Sequence, residues 1–298
     1  MSEATKTVGM IGIGQLGLPI ATNLMRAGFR VAGYRRSDRE AFVSQGGVAL
    51  DSAADVTREA DVLLLCLPSE AAQLDALNGP RGILAALKPG QVVIELGTYR
   101  KQFKLEQGAL IEHHGGRILE AEVSGSPSMI AERKGALYLG GSAALVEECL
   151  PVLEAIAQSR YHLGEYGCAV TVKLIANYLL TIHTLAAAEA INLGARAGFD
   201  PALITEVIKH GAGSSAMFAI RGPMMATRRF TPAPGPFTTL EKYLDLAAEL
   251  AREVGAATPL FSTAAPYFYR GLASDIAAED VSAVIKLIEA DSGPHQGN

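Results

Sequence analysis

From Thr7 to about Leu163, short apolar runs recur between amphipathic stretches: TVGMIGIG, RVAGY, DVLLLCLP, QVVIEL, RILEAEV, ALYLGG and RYHLG. Runs apolar at successive positions are what strands look like when helices cover both faces of a sheet. The alternation therefore predicts repeated βα units building a parallel sheet. After Gly164 the pattern changes. Tyr166 to about Ala197, YGCAVTVKLIANYLLTIHTLAAAEAINLGARA, is apolar on most of its faces and lacks proline, which predicts one long buried helix. Shorter helices follow, broken at Asp200-Pro201, at Gly211-Ala212-Gly213 and in the loop TPAPGP from Thr231 to Pro236. The expected organisation is an α/β domain over residues 1–164 and an all-helical domain over 165–298, ending in a polar tail, DSGPHQGN, that should fray.

Composition narrows the partners. The 298 residues are 49% hydrophobic and 19% charged, values of a folded chain rather than a disordered one. Lys plus Arg number 26 against 31 Asp plus Glu, a formal charge of −5 with no long run of one sign. That balance argues against nucleic acid and anionic membrane surfaces and favours a small-molecule substrate. Three widely spaced cysteines, Cys66, Cys149 and Cys168, suit neither a disulfide framework nor a zinc site and point to a reducing compartment. The start, MSEATKT, has no apolar signal core, and no stretch approaches ~18 uninterrupted apolar residues, so a cytoplasmic protein without a membrane segment is expected.

The first strand runs directly into Gly12-Ile13-Gly14-Gln15-Leu16-Gly17, followed by the helical LPIATNLMRAGF. Between a strand and a helix each glycine meets a separate need, with Gly12 making the tight turn, Gly14 letting the backbone approach a pyrophosphate, and Gly17 allowing close helix–strand packing. The helix N-terminus offers its free N–H groups and positive dipole end to the phosphates. A Rossmann-type doubly wound sheet that binds a dinucleotide is expected, the alternative being an ordinary glycine-rich βα turn. At the end of the second strand, where a free ribose 2′-hydroxyl would want Asp or Glu, stand Arg35, Arg36 and Ser37. Two guanidinium forks and a hydroxyl suit a 2′-phosphate, so NADP is expected as cofactor, with NAD bound at lower affinity. The competing reading is a solvated loop whose arginines answer Asp38 and Glu40.

Lys173 and Asn177 are four residues apart near the start of the long helix and so project from one face. A partly desolvated lysine beside a carbinol oxygen can move the proton that hydride transfer requires; a snorkelling lysine with a structural asparagine is the alternative. Other candidates are weaker. His113-His114 close a helix, His183 lies six residues beyond Asn177, and His210 precedes a glycine, so no metal site is expected. Met217, Phe218, Met224 and Met225 read as core at helical spacing.

Four motifs together resemble the β-hydroxyacid dehydrogenase family, which includes 3-hydroxyisobutyrate dehydrogenases and glyoxylate/succinic semialdehyde reductases. They are the glycine fingerprint, EAEVSGS at Glu120–Ser126, GEYGCAVTVKLIAN at Gly164–Asn177 and LEKYLDLA at Leu240–Ala247, in order along nearly the whole chain. The resemblance implies that Ser124, Gly125 and Ser126 bind a substrate carboxylate, that Lys173 is the general acid/base and that Asn177 orients substrate. It places Lys242 near the nicotinamide and at the substrate, Thr98 facing the cofactor, and Leu67 and Pro68 in a loop over the dinucleotide. Tyr243 stands where the family usually has Asp, Gly97 where it usually has Ser, and Ser126 where it usually has Gly. The segment PSMIAERK before Gly135 is two residues longer than the usual spacer.

The sequence thus points to an NADP-dependent dehydrogenase or reductase of a hydroxy acid or its oxo-acid or semialdehyde. The helical domain, beginning with the long helix, would complete the substrate site across a cleft and support a homodimer or homotetramer. Imine reductases have a similar architecture but generally replace the lysine. Decarboxylating sugar-acid dehydrogenases have a histidine where Ala176 stands, and an inactive dinucleotide-binding relative would not need both Lys173 and Asn177.

Overall fold

A computed structural model describes residues 6–293; the start before Lys6 and the tail beyond Gly293, where fraying is expected, lie outside the described residues. The chain divides into two compact units, Met1–Lys173 and Leu174–Asn298. The boundary expected after Gly164 coincides with the end of the last strand; the division itself falls inside the helix that follows.

In the first unit, strands β1 (Thr7–Ile11), β2 (Arg30–Tyr34), β3 (Val48–Ala49), β4 (Val62–Leu65), β5 (Val92–Glu95), β6 (Arg117–Ser124), β7 (Ala136–Gly140) and β8 (Ser159–Gly164) form one sheet. Its order is β3-β2-β1-β4-β5-β6-β7-β8. The helices between them are α1 (Gly17–Arg26), α2 (Glu40–Ser44), α3 (Ala53–Glu59), α4 (Glu70–Asn78), α5 (Lys101–His113), α6 (Pro127–Ala131) and α7 (Ala143–Ile156). Successive residues of a strand face opposite sides. Leu64 joins Val8, Met10, Ile20, Leu24 and Leu119 in one core cluster, while its neighbours Leu63 and Leu65 join Ile11, Val56, Leu77 and Ile111 in another. Both clusters must be apolar, and this is why the strands read as unbroken hydrophobic runs rather than alternating ones.

One pairing departs from the all-parallel sheet expected. β6 and β7 run antiparallel, with Ser124 opposite Ala136 and Glu122 opposite Tyr138. The longer PSMIAERK segment folds into α6, started by Pro127 and capped by the Ser126 side chain. So short a helix reverses the chain but cannot carry it back across the sheet, as a parallel crossover needs. α7, at 14 residues, does make that crossover, and β8 returns parallel to β7.

Helix α8 (Ala169–Arg196) follows, 28 residues without a break. It is long and apolar enough to cross a membrane, a test that a core helix also passes. In the second unit it is joined by α9 (Pro201–Ile208), α10 (Ala216–Thr227), α11 (Phe237–Glu253), α12 (Pro259–Leu272), a 3-10 turn Val281–Ala283 and α13 (Val284–Asp291). Leu185, Ala188 and Ile191 of α8 pack with Phe218, Phe237, Leu244, Phe261, Phe268 and Ile285. The helix is not buried all round as its composition predicts: Ile175, Leu179 and Leu193 are exposed. Asp280, wholly buried, accepts from Gly235 N, Ser282 N and Arg221 Nε, and so ties α10, the loop before α11 and the 3-10 turn together.

Candidate active site

The glycine turn has the form its sequence predicts. Gly12 has φ of +101°, and a Cβ there would strike the Cys66 carbonyl and lie 3.3 Å from Leu67 Cδ2. A Cβ on Gly17 would overlap the Gly12 carbonyl oxygen, so the start of α1 rests directly on the turn. Gly14 is different: nothing lies within 4 Å of a Cβ built on it, and its backbone faces open space. Ile13 is buried and Gln15 exposed, and at Leu16 no side chain caps α1 and no acidic residue occupies its first turn. Open space beside an uncapped helix N-terminus is a fitting cradle for a diphosphate.

At the end of β2, Arg35 Nη1 donates to the Ile13 carbonyl at 3.3 Å, which holds the guanidinium beside the glycine turn. Arg36 lies 3.8 Å from Asp75, an exposed pair of little energetic weight. Asp38 accepts instead from Glu40 N at 2.7 Å, so the two arginines find their partners elsewhere than in the acidic residues of their own loop. Ser37 is exposed. Beyond β4, the Leu67 carbonyl accepts from Tyr99 Oη at 2.8 Å, and Pro68 is exposed next to Ser69, which caps α4. Thr98 is buried, and its hydroxyl donates to Glu122 Oε2 at 2.5 Å rather than pointing outward. Its methyl and backbone are what remain for a cofactor.

β6 ends in Ser124, half-buried, whose hydroxyl lies 3.4 Å from Tyr138 Oη. Gly125 has φ of +149° and is exposed; Ser126 Oγ meets Ser128 Oγ at 2.8 Å and caps α6. The expected anion-binding residues therefore stand at a strand end next to a helix start. Lys173 and Asn177 share α8, one turn apart, and each is only 8% exposed. Asn177 Nδ2 is buried without a hydrogen-bond partner among the described residues, a donor whose desolvation is offset only if something outside them accepts it. In the second unit Lys242 lies on α11 with its ammonium 5.1 Å from the centre of the Tyr243 ring, so the tyrosine that departs from the family pattern gives that lysine a cation–π neighbour.

Beneath the strand ends lies a group that the pattern of the sequence does not single out. Lys104 on α5 and Glu95, Glu120 and Glu122 on β5 and β6 are all fully buried. Lys104 Nζ is 2.5 Å from Glu122, 2.9 Å from Glu120 and 3.6 Å from Glu95. Glu95 also accepts from Tyr166 Oη at 2.6 Å and Gln73 Nε2 at 2.8 Å. Burial pushes the Glu95 and Glu122 carboxyls above their ordinary values, with Lys104 opposing, while the carboxylates together keep the Lys104 ammonium charged despite its burial. The signal in the sequence was two glutamates two residues apart in RILEAEV, on one face of a strand otherwise fit only for a dry core. Among the described residues no cluster of metal-ligating side chains occurs.

The chain resembles known proteins over both units. A family model described as the NAD-binding domain of 6-phosphogluconate dehydrogenase matches residues 7–167, and one described as the NAD-binding part of NADP-dependent 3-hydroxyisobutyrate dehydrogenase matches 167–288. The 2-(hydroxymethyl)glutarate dehydrogenase of Eubacterium barkeri is 30% identical over 98% of this chain and 97% of its own. The L-threonate dehydrogenase of Cupriavidus necator is 33% identical over 95% and 96%. Among solved structures, a 3-hydroxyisobutyrate dehydrogenase from Salmonella typhimurium superposes with a TM-score of 0.86 at 30% identity, covering 95% of this chain and 99% of that one.

Two outcomes follow from this geometry. Gly17→Ala presses a methyl against backbone and should cost about 1–3 kcal/mol in urea denaturation, whereas Gly14→Ala, with room around it, should leave stability near the parent's. Equal losses would mean that the turn is not packed as described. The second concerns Glu95, whose folded-state pKa is raised by burial. Below its unfolded pKa the group is neutral in both states, and the cost of ionising it inside the fold appears as pH rises toward the folded value. Glu95→Gln removes that cost, so its Tm relative to the parent should climb as pH rises above the ordinary carboxyl range. A flat or falling difference would assign control of Glu95 to Lys104 rather than to burial.

Proposed function

From the membership of this chain in the β-hydroxyacid dehydrogenase family, we propose that it is an NADP-preferring dehydrogenase or reductase of a small hydroxy acid or the corresponding oxo-acid or semialdehyde, with Lys173 as general acid/base. The observation that carries the reading is the pair on α8. A lysine and an asparagine, one turn apart and both buried, include an amide donor that no described residue satisfies. A substrate oxygen at that position would accept from Asn177 and exchange a proton with the Lys173 ammonium. Ser124, with the backbone at Gly125 and Ser126, would hold the carboxylate. Lys242, on the second unit, would act near the nicotinamide and the substrate.

The bound dinucleotide supplies the hydride acceptor or donor. Gly12–Gly17 and the start of α1 would hold its diphosphate, Leu67, Pro68 and Thr98 its ribose and nicotinamide side, and Arg35, Arg36 and Ser37 a 2′-phosphate. Support for NADP over NAD comes from the placement of Arg35 against the Ile13 carbonyl and from the exposure of Arg36 and Ser37. Exposed Ile175, Leu179 and Leu193 on α8 support a homodimer or homotetramer, and three cysteines without a disulfide among the described residues support a cytoplasmic setting.

Replacing Arg35 and Arg36 together with alanine should raise the KM for NADPH about ten-fold or more, because charge-assisted bonds to phosphate contribute roughly 1.5–3 kcal/mol each, and should hardly change that for NADH. Steady-state kinetics with both cofactors decides it, and comparable effects on the two would withdraw the 2′-phosphate assignment. With glyoxylate, succinic semialdehyde and L-threonate as trial substrates, Lys173→Ala should lower kcat by about 10²–10⁴ and leave NADPH binding intact. A near-parent kcat in the folded variant would move the proton to another group.

A further inference from the structure

Every donor of the Lys104 ammonium is used, and each partner belongs to a segment that reaches the proposed site. Nζ donates to the Gly97 carbonyl at 2.7 Å, beside Thr98. It donates to Glu122 Oε1 at 2.5 Å, two residues before Ser124 on the same face of β6. Its third partner, Glu120 Oε1 at 2.9 Å, connects it to the helix of Lys173. Glu120 accepts from Gly167 N at 3.0 Å, Ala169 N at 2.9 Å and Val170 N at 3.0 Å, the backbone donors at the start of α8 that have no partner within the helix. Lys173 follows Val170 by less than one turn.

Stability alone does not account for this arrangement. Burying four ionisable groups is costly, and well-packed apolar side chains fill such space as well or better. What apolar groups cannot do is accept three N–H bonds and thereby fix both the position and the rotation of a helix start. Reactions of this type lose about a hundred-fold in rate for a misplacement near 1 Å.

We infer that Lys104 and Glu120 are positioning residues: one buried ammonium, acting through one buried carboxylate, sets the first turn of α8 and with it Lys173 against the strand that carries Ser124. The inference rests on the proposed roles of Lys173 and Ser124. Loss of the Glu120 charge frees the first turn of α8 without touching the glycine turn. Dinucleotide binding and proton transfer are therefore separable in the variants.

The test compares full-length parent, Glu120→Gln, Lys104→Met and Lys173→Ala. NADPH affinity is read by its fluorescence and kcat per NADPH-binding site with whichever of glyoxylate, succinic semialdehyde and L-threonate the parent turns over. Hydrogen exchange is followed at the amides of residues 167–170. Glu120→Gln and Lys104→Met should each lower kcat about 10-fold to 100-fold and speed exchange at those amides about 10-fold or more, with the NADPH Kd kept within about two-fold of the parent's. Unchanged kcat per binding site, unchanged exchange, or a Kd that weakens in step with kcat would overturn the inference, since a merely structural role lowers the folded fraction and not the turnover of the molecules that bind cofactor. Should Lys104→Met fail to fold, the near-isosteric Glu120→Gln decides alone. A parent inactive on all three substrates, or a Lys173→Ala variant with the parent's kcat, refutes the functional reading instead, and exchange at residues 167–170 then decides the clamp by itself.

Discussion

One ammonium group in a dry interior holds the architecture of the first unit to its chemistry. Lys104 meets three carboxylates, and the carboxylates are met in turn by further donors: Thr98, Tyr166, Gln73 and the backbone N–H groups of Gly167, Ala169 and Val170. Interiors punish a missing partner more than they reward a present one. The group therefore behaves as a unit, and the loop after β5, the end of β6 and the start of α8 inherit a common position. The proposed site is built on these rigid pieces rather than on long loops.

The glycine turn answers a different constraint, that of space. Gly12 and Gly17 are needed because backbone lies where their Cβ atoms would be, whereas at Gly14 that space is open. The turn is thus closed on the protein side and open on the other. Family membership and the two matched NAD-binding models agree with that asymmetry.

Much of this was legible in the sequence, and the parts that were not share physical causes. The seven apolar runs all became strands: for those inside the sheet burial on both faces leaves a clear signature, while RYHLG became the mostly exposed edge strand β8. β3 was missed because Val48–Ala49 is too short for any period to show. The antiparallel β6–β7 pairing was hidden in the length of a connection: PSMIAERK announces its extra residues but not the helix that turns the chain back. The form of the glycine turn was readable in its spacing, and so was the place of Lys173 and Asn177 one turn apart on one helix. Lys104 carried none, since a lysine in KQFKLEQG reads as a solvated helix position and its burial depends on glutamates 9, 16 and 18 residues away. Thr98 shows the same limit: it lies in the loop three residues beyond β5 rather than closing a strand, and the direction of its hydroxyl was set by Glu122, on another strand. In α8 apolar composition overstated burial: Ile175, Leu179 and Leu193 are exposed, and composition alone does not tell which apolar side chains of a helix are covered.

The bonds from Glu120 to the start of α8 span 47, 49 and 50 residues. An isolated helix must nucleate its first turn at the expense of conformational entropy, with its leading N–H groups unpartnered. Here the acceptor for those groups is encoded upstream of the donors. A chain made from its amino end has β6 before the residues of α8 exist, and domains fold largely in that order during synthesis. The start of the long helix is thus set by an acceptor on the sheet of its own unit, and part of the cost of nucleating its first turn is offset from outside the helix.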